Sequence, residues 1–163
     1  MALPKDFHLM IRLKVYEDGR LVAAPEADQA VARGYAGWTP KGAWIDGRRI
    51  TIMTEKARYA VGEEVRVVHF VESDREGDAL HTMGPKEVRG EVVDGVPRGA
   101  PFPPGDDPLG IEHMVYDGPA IPAPYFDCNL EITSYRFDEP GTHTIVWRMD
   151  ALVSNTLRLE VEP

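Results

Sequence analysis

The clearest signal in this chain is an alternation of apolar and polar residues with a period of two. Between His8 and Tyr16 the odd positions Leu9, Ile11, Leu13 and Val15 are all apolar, and the even positions are His8, Met10, Arg12, Lys14 and Tyr16. Such alternation turns one row of side chains to a core and the other toward water, so it predicts a strand. Glu17-Asp18-Gly19-Arg20 ends the run, and Leu21-Val22-Ala23 follows. Asp-Gly suits a two-residue type I′ turn because both central residues need positive φ, and a β-hairpin is predicted here. Asp-Gly recurs at Asp46-Gly47, Asp94-Gly95 and Asp117-Gly118, each beside β-prone residues. Pro119 follows the last of these directly and argues against a hairpin at that point. Together the pattern predicts an all-β, antiparallel protein.

One short helix is expected over Pro25–Arg33, which carries Pro and acids at its start and Arg33 then Gly34 at its end. Pro97–Pro108 and Gly118–Pro124 are proline-rich and read as loops, since proline at that density cannot hold a sheet ladder.

Two further stretches carry a resemblance. Lys56-Ala-Arg-Tyr59-Ala-Val61-Gly62-Glu-Glu-Val65-Arg-Val67 has the form of a strand, a glycine turn and a second strand. Tyr135-Arg-Phe137-Asp138-Glu-Pro140-Gly141-Thr-His143-Thr-Ile145-Val-Trp147 is similar to the corner before a penultimate strand, and Thr156–Val161 alternates as a last strand. Residues from about 50 to 163 thus resemble an immunoglobulin-like or fibronectin-III-like domain. His143 stands where many such domains carry a corner tyrosine, and Ile145 where antibody-type domains place a cysteine. The resemblance implies an immunoglobulin-like antiparallel β-sandwich with an N-terminal β-hairpin and one short helix. It does not choose a function, because that superfamily hosts many. With 163 residues the chain fits a single domain, 1–163, divided into an N-terminal extension (1–49) and the sandwich (50–163).

Charge narrows the partners. Lys and Arg number 18 and Asp and Glu 27, a net of −9. Residues 1–60 hold 10 basic and 7 acidic side chains, and residues 61–163 hold 8 and 20. So acidic a body repels phosphate backbones and anionic membrane surfaces, and neither nucleic acid nor membrane is expected as a partner. One cysteine, Cys128, excludes an intramolecular disulfide, and no signal peptide is visible, so a cytoplasmic location is the expectation.

The candidate chemistry is sparse. His81, Met83 and His113 form a histidine–thioether set that suits copper or another transition metal, although no family motif is matched. Without that metal, no cofactor is expected. Asp74, Glu76 and Asp78, with Asp106, Asp107 and Asp127, offer oxygen ligands but lack a calcium-loop pattern. His69 alternates with Val65, Val67 and Val71 and is expected to point inward; His143 shares a face with Ile145, Trp147 and Met149. No nucleophile signature surrounds Cys128. Phe102, Tyr116, Tyr125 and Phe126, in or beside the loops 97–108 and 118–127, are the expected recognition residues, with Trp38 and Trp44 also flanking turns. The function expected first is a non-catalytic module binding a protein or peptide through these loops or through an open sheet edge, with homo-oligomers a further expectation. A copper-binding protein is the second expectation. An enzyme using His81, His113 and Asp127 is the third.

Overall fold

A computed structural model describes residues 3–82, 84–101 and 118–163. Its elements, in chain order, begin with helix α1 (Phe7–Met10), strands β1 (Lys14–Glu17) and β2 (Arg20–Ala23), and helix α2 (Glu26–Arg33). A 3-10 turn (Tyr35–Gly37), then β3 (Arg48–Met53), β4 (Arg58–Ala60), β5 (Glu64–Ser73), β6 (Ala79–His81), β7 (Glu91–Val93) and β8 (Val96–Arg98) follow. The chain ends with β9 (Ala120–Pro122), β10 (Tyr125–Asp127), β11 (Thr133–Arg136), β12 (Gly141–Met149), β13 (Leu152–Val153) and β14 (Leu157–Glu162).

Two sheets share one core. In the first, β5 lies at the centre, with β3 antiparallel along one edge and β10 and β11 along the other. The second runs β4, β14, β12, β7, β8, with β13 also on β12. Every contact between neighbours is antiparallel except β4 beside β14, which is parallel. Inward residues of the two sheets meet: Ile50, Ile52, Val65, Val67 and Val71 from one, and Val93, Ile145, Trp147, Leu157 and Leu159 from the other. The alternation expected over Thr156–Val161 is present, with Leu157, Leu159 and Val161 buried and their neighbours exposed.

Residues 3–37 cover the outer face of the first sheet and form a second core. Phe7, Ile11, Leu13, Ala32 and Tyr35 pack on Met53, Val68 and Phe70. β5 is therefore buried on both faces, which is why it reads as a nearly unbroken apolar run rather than a clean alternation. The side chain of Gln29, on α2, receives the Leu13 N–H (2.9 Å) and donates to the Leu13 carbonyl (2.8 Å), pinning the incoming chain to the helix.

The structure corrects three expectations. The strand expected over His8–Tyr16 starts only at Lys14, because Phe7 and Ile11, four apart, bury one side of α1 and leave Leu9 62% exposed. There are accordingly two helices among the described residues, not one. The proline-rich segments include two short strands, β8 with Pro97 and β9 ending at Pro122. Proline is tolerated at β8 because it is an edge strand. Asp94 and Gly95 form the two-residue turn (φ 50° and 78°), which makes Val93 and Val96 the hydrogen-bonded pair. Pro97, opposite Val92, then has its nitrogen on the open side, where a missing N–H costs no ladder bond and blunts the edge. The other Asp-Gly turns in the described chain are as expected, with Asp18 and Asp46 at φ 50° and 49° and glycines following.

The edge of β3 is closed as well. Asn155 receives the Ile52 N–H (2.8 Å) and donates to the Ile52 carbonyl (2.9 Å), imitating a neighbouring strand. Gly42 lies so close to the Ile50 carbonyl that a side chain there would sit 1.9 Å from its oxygen. No helix among the described residues is long and apolar enough to cross a membrane.

Candidate functional site

β5 places ionisable side chains on both its faces. On the inner face His69, with its side chain fully shielded, lies 3.3 Å from the Glu91 carboxylate on β7, across the core. Tyr135 on β11 donates its hydroxyl to the same carboxylate at 3.0 Å. The Trp147 ring meets the imidazole edge-on at 4.8 Å and donates its own N–H to the Arg89 carbonyl. Burial pushes the Glu91 carboxyl up, but His69 and the hydroxyl beside it outweigh that and hold it below the usual carboxylate range. Burial, with Glu91 adjacent, pushes the Tyr135 hydroxyl well above the usual tyrosine range. With side chains 0% and 3% exposed, the His69–Glu91 pair ties the sheets together and is closed to any substrate.

On the outer face Glu72 is also fully buried, but its partners lead outward. Tyr35 hydrogen-bonds one carboxylate oxygen, and Arg49, its cross-strand neighbour on β3, donates to the same oxygen from Nε (3.0 Å) and Nη2 (2.7 Å). The Tyr35 ring stacks on Phe70 at 3.9 Å, and burial followed by Glu72 pushes its hydroxyl well above the usual range. The Lys41 ammonium sits 4.8 Å over the other side of Tyr35 and donates to the Trp38 carbonyl at 2.9 Å. Partial burial and then Arg49 push the Lys41 amine down.

The Arg49 guanidinium reaches the surface beneath Trp44, with Cζ 4.5 Å from the ring centroid. Trp44 is 36% and Ile45 41% exposed, at the entry to the tight turn Asp46–Gly47 that the Ile45–Arg48 backbone pair closes. Gly47 at φ +76° completes that turn, and a Cβ there would sit 2.9 Å from the Arg75 Cβ. The result is an exposed Trp44–Ile45 pair resting on a mostly buried Arg49 that is anchored in the second core. Arg49 cannot swing freely, because Glu72 holds it from below and Trp44 covers it.

Other polar groups are structural. Arg48 and Asp78 form a two-pronged pair at 2.7 Å for each bond, joined by Ser73 at 2.6 Å, and Arg48 above all holds the Asp78 carboxyl below its usual range. Lys86 pairs with Asp127 at 2.8 Å, which commits the acid weighed for catalysis. The Trp38 indole N–H is buried without an acceptor, an arrangement that costs about 1–3 kcal/mol.

Of the residues expected to act, Met83, Phe102, His113 and Tyr116 lie outside the described residues, as do Asp106 and Asp107. His81 is half-buried on β6 opposite Ala120. No group of three or more His, Cys, Asp or Glu among the described residues is arranged to hold a metal ion. Tyr125 is 7% exposed in the inner core, and Phe126 packs edge-on against Phe7 at 5.3 Å in the outer one. Both rings are turned to packing because β10 pairs with β5 and shares its two buried faces. Burial, with Asp127 beside it, pushes the Cys128 thiol up to about 12, far from a thiolate at neutral pH. Glu72 and Arg49 were not legible as a pair. The available signal was the two-faced apolar run Val65–Val71, in which any ionisable residue must find a partner.

Comparisons with protein-family models, with curated proteins and with solved structures find no match.

Proposed function

We propose that this chain is a non-catalytic binding module, an immunoglobulin-like β-sandwich that recognises a protein or peptide through the Trp44–Ile45 tip backed by Arg49. The sandwich is supported by two consecutive strands that join opposite sheets, β3 antiparallel to β5 and β4 parallel to the last strand β14. The functional part rests on one observation: Trp44 and Ile45 are exposed while Arg49 beneath them is fixed by two hydrogen bonds to a fully buried carboxylate. Trp and Arg dominate the energetics of protein interfaces. A pre-ordered pair loses little side-chain entropy on binding, so more of its contact energy survives as affinity. A loose surface tryptophan would not have this advantage.

The test is affinity capture from an extract of the source cells with wild-type protein, Trp44→Ala and Ile45→Asp, each checked for an unchanged melting temperature. A partner retained by the wild type and lost by both variants is the expected result. An identical set of partners on all three overturns the assignment of the tip. Stoichiometric copper uptake that His81→Ala abolishes would replace the proposal with the metal-binding alternative.

A further inference from the structure

At the other end of the loop that carries Trp44, a cleft of about 560 Å3 opens between Trp38–Pro40, the bend Thr54–Ala57 and the start of β14. We propose that this cleft binds a small organic monocarboxylate with an apolar or aromatic body, a ligand distinct from any partner of the Trp44 tip. Its volume falls within the usual span of small-ligand pockets, roughly 300–1,000 Å3.

The walls are built rather than incidental. Asn155 is locked by its two hydrogen bonds to Ile52, and the Thr54 hydroxyl donates to the Lys56 carbonyl at 2.8 Å. Leu157 is a buried part of the lining, and Trp38 contributes a flat aromatic side. This is the apolar floor that an organic body needs.

The polar groups left over are predominantly donors. Arg158 lines the cleft, is exposed, and has no carboxylate partner among the described residues. The Trp38 ring lines the cleft, and its buried N–H has no acceptor. Lys56, also in the lining, is committed to Glu63. The lining holds a single acid, Glu55, and because Lys56 is matched by Glu63, Arg158 is the cation left to meet a ligand. An acceptor-only, negatively charged head matches a guanidinium and an indole N–H, and carboxylate is the planar head that arginine grips in two-pronged fashion.

The experiment is a titration followed by 1H–15N correlation spectra, with the Trp38 indole resonance identified by Trp38→Phe. The probes are phenylacetate, its neutral counterpart phenylacetamide, and a tetrapeptide ending in phenylalanine with a free carboxylate. Saturable movement of the Trp38 resonance with phenylacetate, weakened about tenfold by Arg158→Gln, is the expected result, tenfold being about 1.4 kcal/mol. Tighter binding of the peptide than of phenylacetate would overturn the assignment to a free small acid in favour of a chain terminus. No saturation at about 10 mM by either carboxylate, well above a millimolar Kd, overturns the site. So does equal binding of phenylacetamide, or a titration that Arg158→Gln leaves unchanged. Arg158 is exposed on β14, so its substitution leaves the fold intact and the result interpretable even where Trp38→Phe is destabilising.

Discussion

The inner and outer cores of this protein solve one problem in two ways. Each buries a carboxylate that accepts a tyrosine hydroxyl: Glu91 from Tyr135 in the inner core, Glu72 from Tyr35 in the outer one. The difference is the cation. Glu91 faces the imidazole of His69; Glu72 faces the guanidinium of Arg49, a permanent cation. The histidine pair is sealed completely, while the arginine side chain keeps 18% of its surface in contact with solvent. The contrast follows from desolvation. A permanent charge taken wholly out of water is penalised by several kcal/mol, so the arginine is held where its far side stays wet. The Trp44 ring packs over the same guanidinium, 4.5 Å from Cζ, so the half-exposed tryptophan rests on a cation that is held from below.

The two carboxylates distinguish the cores most strongly. Glu72→Gln removes the counter-charge of a cation that cannot be neutralised. It is expected to cost about 3 kcal/mol, the low end for a broken buried pair because Arg49 retains solvent contact. Urea unfolding at neutral pH measures this as a lower midpoint at unchanged slope. Glu91→Gln leaves no permanent cation unpaired and keeps an amide oxygen able to accept from Tyr135, so about 1–2 kcal/mol is expected, within the range for a disturbed buried hydrogen bond. Equal losses would mean that both sites behave as ordinary hydrogen-bonded polar groups and that the identity of the cation is immaterial.

The same pair sharpens with acid. Glu91 titrates lower in the folded chain than its ordinary value of 4.5. Its contribution is therefore complete above that value and is lost as the pH falls through the folded value. Wild-type stability is expected to fall more steeply below about pH 4.5 than that of Glu91→Gln, as read from melting temperature against pH. Parallel acid limbs would show that the pair carries no charge-dependent stability.

These regions were unequally legible in the sequence. The hairpin β1–β2, helix α2 and strands β12 and β14 announce themselves through Asp-Gly, Pro and Gly punctuation and strict alternation, all local signals. The inward turn of His69 follows from Val65, Val67 and Val71 around it. Helix α1 was hidden because Leu9 and Met10 are apolar yet exposed, so hydrophobicity alone pointed to the wrong period. The Tyr35–Arg49–Glu72 anchor was hidden for a different reason: it joins three distant parts of the chain, and no spacing rule records it. Tyr125 and Phe126 misled because a proline-rich neighbourhood suggested exposure, whereas β10 is paired to a strand buried on both faces.

The smallest expected effect uses a second histidine as the contrast to His69. Both ring nitrogens of His69 are buried without a hydrogen bond of good geometry, although Nε2 lies 3.3 Å from the Glu91 carboxylate. Both nitrogens of His143 face acceptors: Nδ1 lies 2.6 Å from the Asp94 carboxylate and Nε2 lies 2.7 Å from the Glu139 carbonyl. Neither acceptor can donate, so this arrangement favours the ring with both nitrogens protonated, the imidazolium. Partial burial pushes His143 down, but Asp94 and Glu139 outweigh it and raise it above its ordinary 6.5. Burial likewise pushes Asp94 up, and His143 with the Thr144 N–H outweighs that and holds it below its ordinary 3.8. The stability this pair supplies is complete between those ordinary values. It fades as the pH rises through the folded value of His143, and fades again as the pH falls through that of Asp94. Because Asp94 is 42% exposed, solvent screens the pair, and His143→Gln is expected to lose only about 0.2–1 kcal/mol near pH 5.5 and less once the pH has risen through the folded value of His143. A loss that stays constant from acid to alkaline pH would show that His143 acts through its stacking on Phe137, at 4.2 Å, and not through its charge.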